Sequence, residues 1–243
     1  MNAIIYAAGV SKRLSNYIPN GLKGLIKINK TYLIEYQLRW LTSLNIDNLI
    51  IVIGNEHEEY KKVLGNKYNG KKITYIYNND YKSKGNMLSL WCARDYCNSD
   101  TIFTTSDLLC NLDDIEIFIK SNAKNKILID STNDKKLNDD DPVKVTIKNS
   151  KIIKIRKRIK ELSSVDGISV GVYQFSREFM QNLISNIDDE ISSGRDNQSL
   201  YYAIDNVINL SPTTPIFMKN CMWIDIDTKN ELDQALSESS YYN

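Results

Sequence analysis

The first 27 residues constrain the fold of this chain more than any other stretch. A short apolar run over residues 3–6 predicts a buried β-strand, and small residues that follow it leave room for a ligand against the backbone. Arg13 and Lys23 add positive charge beside that turn. Backbone N–H groups near fixed cations favour phosphate, so we predict a phosphate-binding loop formed by Ala7, Ala8, Gly9, Val10, Ser11 and Lys12. The alternative is a plain strand-to-helix turn with surface bases.

The segments after this loop alternate between helix and strand patterns. Apolar residues recur at helical spacing over residues 32–44, and residues 56–64 also have a helical pattern. Compact β-branched or alternating runs predict strands over residues 48–54 and 72–77. This βαβαβ order predicts an α/β fold with parallel strands, right-handed crossovers and ligands at the carboxyl ends of the strands.

Length and charge limit the class of protein. At 243 residues the chain suits one α/β domain, which we predict over residues 1–243. The 31 basic and 30 acidic residues give a net charge of +1, which argues against nucleic-acid or membrane binding driven by overall charge. No apolar run approaches the roughly 18–20 residues that cross a bilayer, and no signal-peptide pattern is present, so we expect a cytoplasmic protein.

The cysteines and the single histidine offer no catalytic or metal-binding pattern. The four cysteines have no CxxC pair and no metal-ligand spacing, which predicts reduced, mostly structural thiols. His57 lies in a charged stretch that is typical of the solvated first turn of a helix. We therefore do not expect acid–base or nucleophilic chemistry based on histidine.

A polar loop follows the strand predicted over residues 72–77, at the edge where ligands are expected. Its side chains can form hydrogen bonds with a nucleotide base, and the nucleotide-binding candidates are Asn78, Gly85, Asn86 and Ser89. The alternative is that Asn86 only caps a helix predicted over residues 87–96, although capping and base recognition are compatible.

Acidic residues lie in two further extended segments. Ser106 and Asp107 end the strand predicted after that helix, and a lone aspartate there is otherwise typical of a turn. Asp225 and Asp227 are two residues apart, so both carboxylates lie on one face of an extended segment and repel each other. A divalent cation relieves that repulsion, and Mg²⁺ prefers hard oxygen ligands together with substrate phosphates. The alternative for Asp227 is a cap on the closing helix.

The middle and the end of the chain are less regular. We predict a strand over residues 126–130, a polar loop over 131–141, a hairpin of 143–147 and 151–155, a strand over 167–173, and helices over 176–187, 197–208 and 229–236. The basic run over residues 151–160 fits a solvated strand face better than a nucleic-acid site, because isoleucine alternates with the charges.

Three separated motifs resemble the nucleotidyltransferase superfamily that includes sugar-1-phosphate nucleotidylyltransferases and phosphocholine cytidylyltransferases. The first is Ala7-Ala8-Gly9 after a strand, with Arg13 four residues beyond the glycine and Lys23 ten further on. The second is the asparagine followed by Ser-Leu at residues 86–90, which is similar to the phosphocholine enzymes. The third is Asp107 together with the Trp-Ile-Asp-Ile-Asp segment at residues 223–227.

The chain departs from the superfamily pattern at two positions in the first motif. Ser11 stands where most members have a second loop glycine, and Leu22 stands where they have a proline. A serine can still donate to a phosphate, but the backbone conformation of the loop is put in question.

The resemblance implies a Rossmann-like three-layer nucleotidyltransferase fold with a mixed, mostly parallel central sheet. It implies a nucleotide-binding half over about residues 1–110 and an acceptor-binding half over about 111–243. Arg13 and Lys23 would be catalytic, Ser106 would join the nucleotide site, and Mg²⁺ would bind Asp107, Asp225 and Asp227. The implied acceptor-binding residues are Lys157, Asp166, Gly167, Tyr173, Tyr201 and Trp223.

The implied partners are CTP and a small phosphorylated acceptor with a cationic nitrogen, without nucleic acid or membrane. The resemblance allows three acceptors: phosphocholine, a phosphonate, or a phosphorylated amino-acid amide such as phosphoglutamine. It also allows a homodimer. The alternatives in other classes are a sugar-1-phosphate nucleotidylyltransferase, a metal-dependent glycosyltransferase and a non-catalytic nucleotide sensor.

Overall fold

A ten-stranded sheet with helices on both faces is the central feature of the computed structural model. The structure describes residues 1–18, 21–54, 57–132, 140–159 and 165–242. The longer strands are β1 (Asn2–Ala7), β4 (Asn48–Ile53), β6 (Lys71–Tyr77), β7 (Thr101–Thr105), β9 (Lys126–Asp130), β10 (Lys144–Lys148), β11 (Lys151–Arg156), β12 (Gly167–Phe175) and β13 (Thr214–Phe217). The shorter strands are β2 (Lys27–Ile28), β3 (Thr31–Tyr32), β5 (Lys67–Tyr68), β8 (Leu108–Cys110) and β14 (Trp223–Asp225).

Seven α-helices in the described ranges connect these strands. They are α1 (Leu33–Thr42), α2 (His57–Leu64), α3 (Met87–Cys92), α4 (Leu112–Lys120), α5 (Arg177–Ser192), α6 (Leu200–Val207) and α7 (Lys229–Ser237). Within those same ranges, none of the helices is both long and apolar enough to cross a membrane.

The strand order is β11-β10-β12-β7-β1-β4-β6-β5, with β9 and β13 branching from β12. The four central strands β7, β1, β4 and β6 are parallel. β5 and β12 run antiparallel to them, and β10, which is antiparallel to β12, runs in the same direction as the central strands. The register places Ile5 beside both Ile51 and Thr104. The predicted mixed sheet of an α/β fold is confirmed. Because the central strands are parallel, their carboxyl ends meet at one edge.

Alternation of side chains along the central strands produces two apolar layers. On one face Ile5 and Ile51 pack with residues of α1, α2 and α4, and on the other Ile4 and Phe103 pack with residues of α3, α5 and α6. Strands β1, β4 and β7 are buried over nearly their whole length, which explains the isoleucine-rich runs of β1 and β4, whereas most of β6 is only half-buried. A third cluster includes Leu14, from the 3₁₀ turn that follows the predicted phosphate loop, and it holds α7 against that turn.

Several predicted boundaries differ from the structure for local reasons. The helix predicted over residues 87–96 ends at Cys92 and continues as a separate 3₁₀ turn at Arg94–Tyr96. The helix predicted from residue 197 begins at Leu200, after Ser199 in an extended N-cap conformation. The predicted hairpin is present, with Asn149 and Ser150 both at positive φ in its turn. Most of the loop predicted over 131–141 lies outside the described residues.

Six of the labelled elements have no counterpart among the predictions. They are the two-residue strands β2, β3 and β5, the strand β8, the helix α4 directly after it, and the strand β13. β8 pairs antiparallel with β14, so it joins the segment after Asp107 to the segment that contains Asp225. This pairing matters for the site, because it connects two acidic segments more than a hundred residues apart in sequence.

Candidate active site

The carboxyl ends of β1, β6 and β7 surround a cavity of about 270 Å³. The strand ends contribute Ala7, Asn78 and Ser106, and the loops beyond them close the cavity. Nine of the predicted nucleotide-binding residues line it, together with Lys23 and Asp107: Ala7, Ala8, Gly9, Ser11, Asn78, Gly85, Asn86, Ser89 and Ser106. Val10 and Lys12 belong to the same loop but are not part of this lining.

The polar residues of the predicted base-binding loop are also tied to the protein itself. Asn78 donates from Nδ2 to Ser89 Oγ at 3.1 Å, and its Oδ1 accepts from the Asp80 backbone at 3.1 Å. Asn86 makes no side-chain bond to its own helix, and its Oδ1 instead accepts from the Leu200 backbone N–H at 2.8 Å. Asn86 therefore accepts a hydrogen bond from the first backbone N–H of α6, and it connects the first cavity to that helix.

Ser11 adopts the left-handed conformation, with φ 52° and ψ 37°. That conformation costs little for glycine and more for serine, which accounts for the glycine that most superfamily members have at this position. Its Oγ is buried and has no hydrogen-bond partner among the described residues. The loop thus keeps the glycine-like conformation in spite of the substitution.

Ser11→Gly is expected to raise the free energy of unfolding by up to about 1 kcal/mol, because it relieves backbone strain and removes an unpaired buried hydroxyl. Urea titration measures the change. Ser15→Gly is the matched control, since Ser15 is exposed and right-handed at φ −54° and should lose stability on the same replacement. A fall in stability for both variants would contradict the interpretation of the loop.

Two cations and two carboxylates alternate at the mouth of this cavity. Lys23 Nζ donates to Asp107 Oδ2 at 2.8 Å and also to Asp227 Oδ1. Arg13 Nη2 donates to the other oxygen of Asp227 at 2.5 Å. Asp227 therefore bridges the two predicted catalytic residues, and the N-cap of α7 is Thr228 rather than Asp227.

Asp225 is brought to this cluster by the pairing of β8 with β14. Asp225 is opposite Leu108, and the Ile226 N–H donates to the Asp107 carbonyl at 3.0 Å. The Asp225 side chain is exposed at the second cavity. Desolvation by the surrounding protein, followed by the neighbouring Asp107 and Asp227 carboxylates, raises the pKa of Asp225 well above its usual value. The three carboxylates outnumber the two cations, and this rise in pKa relieves the excess by favouring the protonated form of Asp225.

The charges of Lys23 and Asp107 stabilise each other against burial. Burial alone lowers the pKa of Lys23, but the Asp107, Asp227 and Asp225 carboxylates outweigh it and hold that pKa above its usual value. Burial alone raises the pKa of Asp107, but the Lys23 ammonium and its hydrogen bond hold it below its usual value. Both groups are therefore charged near neutral pH.

The acidic residues fit a divalent cation that shares its ligands with a substrate. Asp107 Oδ1 is buried and has no hydrogen-bond partner in the described part of the chain, so one hard oxygen is unused. Among the described residues, no group of three or more acidic, histidine or cysteine side chains is arranged to hold a metal by itself. This agrees with the preference of Mg²⁺ for one or two carboxylates together with substrate phosphates.

A second cavity of about 760 Å³ opens beside the same cluster. Asp225 and Asp227 line it, and Tyr6, Asn86 and Thr105 line both cavities, so the two share a wall. The predicted acceptor-binding residues that it brings together are Lys157, Tyr173, Tyr201 and Trp223.

Asp166 and Gly167 are not among the residues that line either cavity. Asp166 is exposed and accepts a hydrogen bond from the Ile147 backbone at 2.6 Å, within the β10 region. Gly167 permits close packing of β12 on β9, since a Cβ there would stand 2.5 Å from Ile129 Cγ2. The structure therefore gives both residues a structural explanation.

Three residues near the site carry no local sequence signal. Asp141 pairs with Lys157 Nζ at 2.6 Å and lies 3.6 Å from Arg13 Nη1, which links the second cavity to Arg13, a residue that lines neither cavity. Tyr60 lines the first cavity from α2. Asp130 accepts from Trp223 Nε1 at 2.8 Å.

Comparison with known proteins places these observations in context. Residues 3–134 match the MobA-like NTP transferase domain family. A choline-phosphate cytidylyltransferase from Haemophilus influenzae is 36% identical over 111 residues, which cover 46% of this chain and 46% of the relative. A CTP:phosphoglutamine cytidylyltransferase from Campylobacter jejuni is 26% identical over 200 residues, covering 76% of this chain and 77% of the relative.

The chain thus spans about half the length of the Haemophilus relative in that match. The solved structure of an inositol-1-phosphate CTP transferase from T. maritima superposes with a TM-score of 0.80 and 19% identity, over 99% of this chain and 95% of that one. At that identity the likeness establishes the fold alone.

Proposed function

The chain belongs to the MobA-like NTP transferase family, and on that premise we propose that it is a Mg²⁺-dependent cytidylyltransferase. It transfers CMP from CTP to a small phosphorylated or phosphonate acceptor that bears a cationic nitrogen, and it releases pyrophosphate. The observation that carries this proposal is the cluster of Arg13, Lys23, Asp107, Asp225 and Asp227 at the boundary between two cavities.

The proposed reaction forms one P–O bond and breaks another. An oxygen of the acceptor's phosphate or phosphonate attacks the α-phosphorus of CTP. The bond from that phosphorus to the bridging oxygen breaks, and the electron pair leaves with pyrophosphate. The acceptor oxygen is already ionised near neutral pH, so the protein need only position the groups and neutralise charge.

The residues divide between the two substrates according to the cavities that they line. The first cavity takes the nucleotide, with its phosphates toward the loop at residues 7–12, and the second takes the acceptor. Arg13 and Lys23 hold phosphate oxygens and neutralise the charge that develops on the leaving group. Asp107 and Asp225, with Asp227 beside them, would hold the Mg²⁺. When bound, that ion supplies Lewis-acid stabilisation of phosphate oxygens.

The ion pairs of Arg13 and Lys23 support this division. Lys23 and Arg13 are neutralised by Asp107, Asp227 and Asp141, so each cation already binds an anion. Phosphate oxygens of the nucleotide would replace these carboxylates on the two cations, and the carboxylates so freed are the groups that would hold the metal ion. Each charge would then keep a partner, which avoids the cost of isolating a buried charge, on the order of several kcal/mol.

Charge and aromatic surface in the second cavity support an acceptor with a cationic nitrogen. Among the described residues that line it, Lys157 is the one basic side chain, while the acidic ones are Asp141, Asp225, Asp227, Glu231 and Glu238. The aromatic rings of Tyr201 and Trp223 add faces that attract a cation. These carboxylates attract an ammonium group, whereas the uncharged hydroxyl groups of a sugar gain no such attraction.

The two cytidylyltransferases described above also support this acceptor class. Choline phosphate and phosphoglutamine, which appear in their names, both contain nitrogen close to a phosphate. A zwitterionic amino-acid head would need a basic group for its carboxylate as well. Lys157, the one basic side chain among the described residues of the second cavity, already pairs with Asp141 at 2.6 Å. Arg195, between α5 and α6, is bound to Glu190 at 2.6 Å from Nε to Oε2, and neither of these two residues lines the cavity. This favours a simple ammonium over a free amino acid.

The acceptor class is tested by measuring CTP-dependent pyrophosphate release with a panel of acceptors. We expect turnover with at least one of phosphocholine, aminoethylphosphonate and phosphoglutamine, and hexose-1-phosphates at least about a hundredfold slower. Asp107→Asn serves as the blank for contaminating activity. Efficient turnover of glucose-1-phosphate, with none of the three nitrogen-bearing acceptors accepted, would instead assign the protein to the sugar-1-phosphate enzymes.

A further inference from the structure

A buried carboxylate is hydrogen-bonded to one aromatic ring that lines the second cavity. Trp223 lines the cavity, and its indole Nε1 donates to Asp130 Oδ2 at 2.8 Å. Asp130 is at the end of β9, is only 1% exposed and is not part of the cavity lining. Because the indole N–H lies in the plane of the ring, the carboxylate is at the edge of the ring and outside the cavity lining.

The rest of the Asp130 side chain is fixed as well. Its other oxygen, Oδ1, accepts from the Thr132 backbone N–H at 2.9 Å and from the Thr132 hydroxyl at 3.0 Å. The indole, the two Thr132 donors and the neighbouring Cys221 thiol, which also lines the cavity, thus hold the carboxylate in one orientation. Because Trp223 is in β14 and Asp130 in β9, this bond connects two strands that are not paired with each other.

This arrangement has an electrostatic consequence for a ligand on the cavity side. A cation over an indole face is attracted by the negative charge of the ring, and the attraction is larger where water is excluded. A hydrogen bond from the indole N–H to a carboxylate is charge-assisted, and it makes both faces of the ring more negative. The buried negative charge at the edge of the ring also attracts a cation in the cavity, with little screening by solvent.

We propose that Asp130 is a specificity-determining residue that acts through Trp223, so that the pair selects acceptors with a quaternary or protonated nitrogen. This rests on the proposed function, because it assigns the second cavity to the acceptor. Asp130 touches no substrate. Asp130 orients the indole and places a negative charge at the N–H edge of the ring.

Asp130→Asn tests the inference, because an asparagine can still accept from the indole but carries no charge. The probes are phosphocholine and its neutral isostere 3,3-dimethylbutyl phosphate, titrated calorimetrically in the presence of a non-hydrolysable CTP analogue and Mg²⁺. We expect the preference for phosphocholine over the isostere to fall about fivefold in the variant, with isostere affinity within about twofold of wild type. The KM for CTP is expected to stay the same.

The chain offers a matched control in a second tryptophan–aspartate pair. Trp91 Nε1 donates to Asp188 Oδ1 at 2.6 Å, and neither residue lines the two cavities. Asp188→Asn removes the same charge from the same kind of pair and should leave the preference unchanged. Trp223→Leu, which leaves the Asp130 carboxylate in place and removes the ring together with its N–H donor, should abolish the preference even where Asp130→Asn folds poorly.

The possible results separate this inference from the proposed function. Equal loss of affinity for both probes in Asp130→Asn would overturn it, since that pattern indicates only a structural support for the ring. An unchanged preference in Asp130→Asn or in Trp223→Leu would overturn it as well. A charge-dependent preference in a wild-type protein that transfers CMP to no acceptor would uphold the inference and overturn the proposed reaction.

Discussion

Asp107→Asn is expected to leave the fold intact and to lower Mg²⁺-dependent turnover by about three orders of magnitude. The substitution keeps the shape of the side chain but removes its negative charge, which pairs with Lys23 through Oδ2. It also leaves one carbonyl oxygen in place of two carboxylate oxygens, of which Oδ1 is buried and has no partner in the described structure. A lost metal-binding charge costs several kcal/mol of transition-state stabilisation, on the order of a thousandfold in rate. Steady-state kinetics with a thermal unfolding curve measures both effects.

The control for Asp107→Asn is Asp95→Asn, which removes one negative charge from an exposed position on the 3₁₀ turn after α3. It should leave both turnover and unfolding temperature near their wild-type values. A folded Asp107→Asn protein with turnover close to wild type would contradict the assignment of Asp107 to the metal.

Lys23→Ala is expected to lower kcat/KM by roughly two or more decades. Its ammonium lies between Asp107 and Asp227, where phosphate oxygens would replace those carboxylates. Without it, the carboxylates of Asp107, Asp225 and Asp227 lose their shared cation, so some thermal stability should be lost too. Initial rates at varied CTP concentration, measured well below the unfolding temperature, separate the two losses.

Two lysine variants complete that experiment. Lys30→Ala, at an exposed position after β2, is the matched control and should change kcat/KM little. Lys12 belongs to the phosphate loop but is exposed and not part of the first cavity's lining. Equal losses for Lys12→Ala and Lys23→Ala would show that the register of the loop toward the phosphates is wrong.

The convergence of the phosphate loop with Asn78 and Asp107 could be predicted from the sequence, because parallel strands deliver their carboxyl ends to one edge. The extended Asp225 and Asp227 segment could be connected to that edge only through the family resemblance. The physical link is the pairing of β8 with β14, and three-residue strands give almost no periodicity to read.

Contacts between distant segments account for what could not be predicted. Asp130 and Trp223 are 93 residues apart, and neither has a local signal of a partner. Asp166 precedes a strand in a way that resembles the family, but its carboxylate accepts from the Ile147 backbone on an exposed edge. For Ser11, composition alone argues against a left-handed residue, yet the surrounding loop imposes that conformation.

The most direct test of nucleotidyl transfer follows the α-phosphorus of CTP. The purified protein is incubated with CTP labelled at the α-phosphate, Mg²⁺ and phosphocholine, and the products are separated. We predict that the label appears in a CDP-linked product together with equimolar unlabelled pyrophosphate, only when acceptor and Mg²⁺ are both present, and not with Asp107→Asn. Label that stays in CTP with every nitrogen-bearing acceptor of the panel, or that appears only as free CMP, would contradict the account.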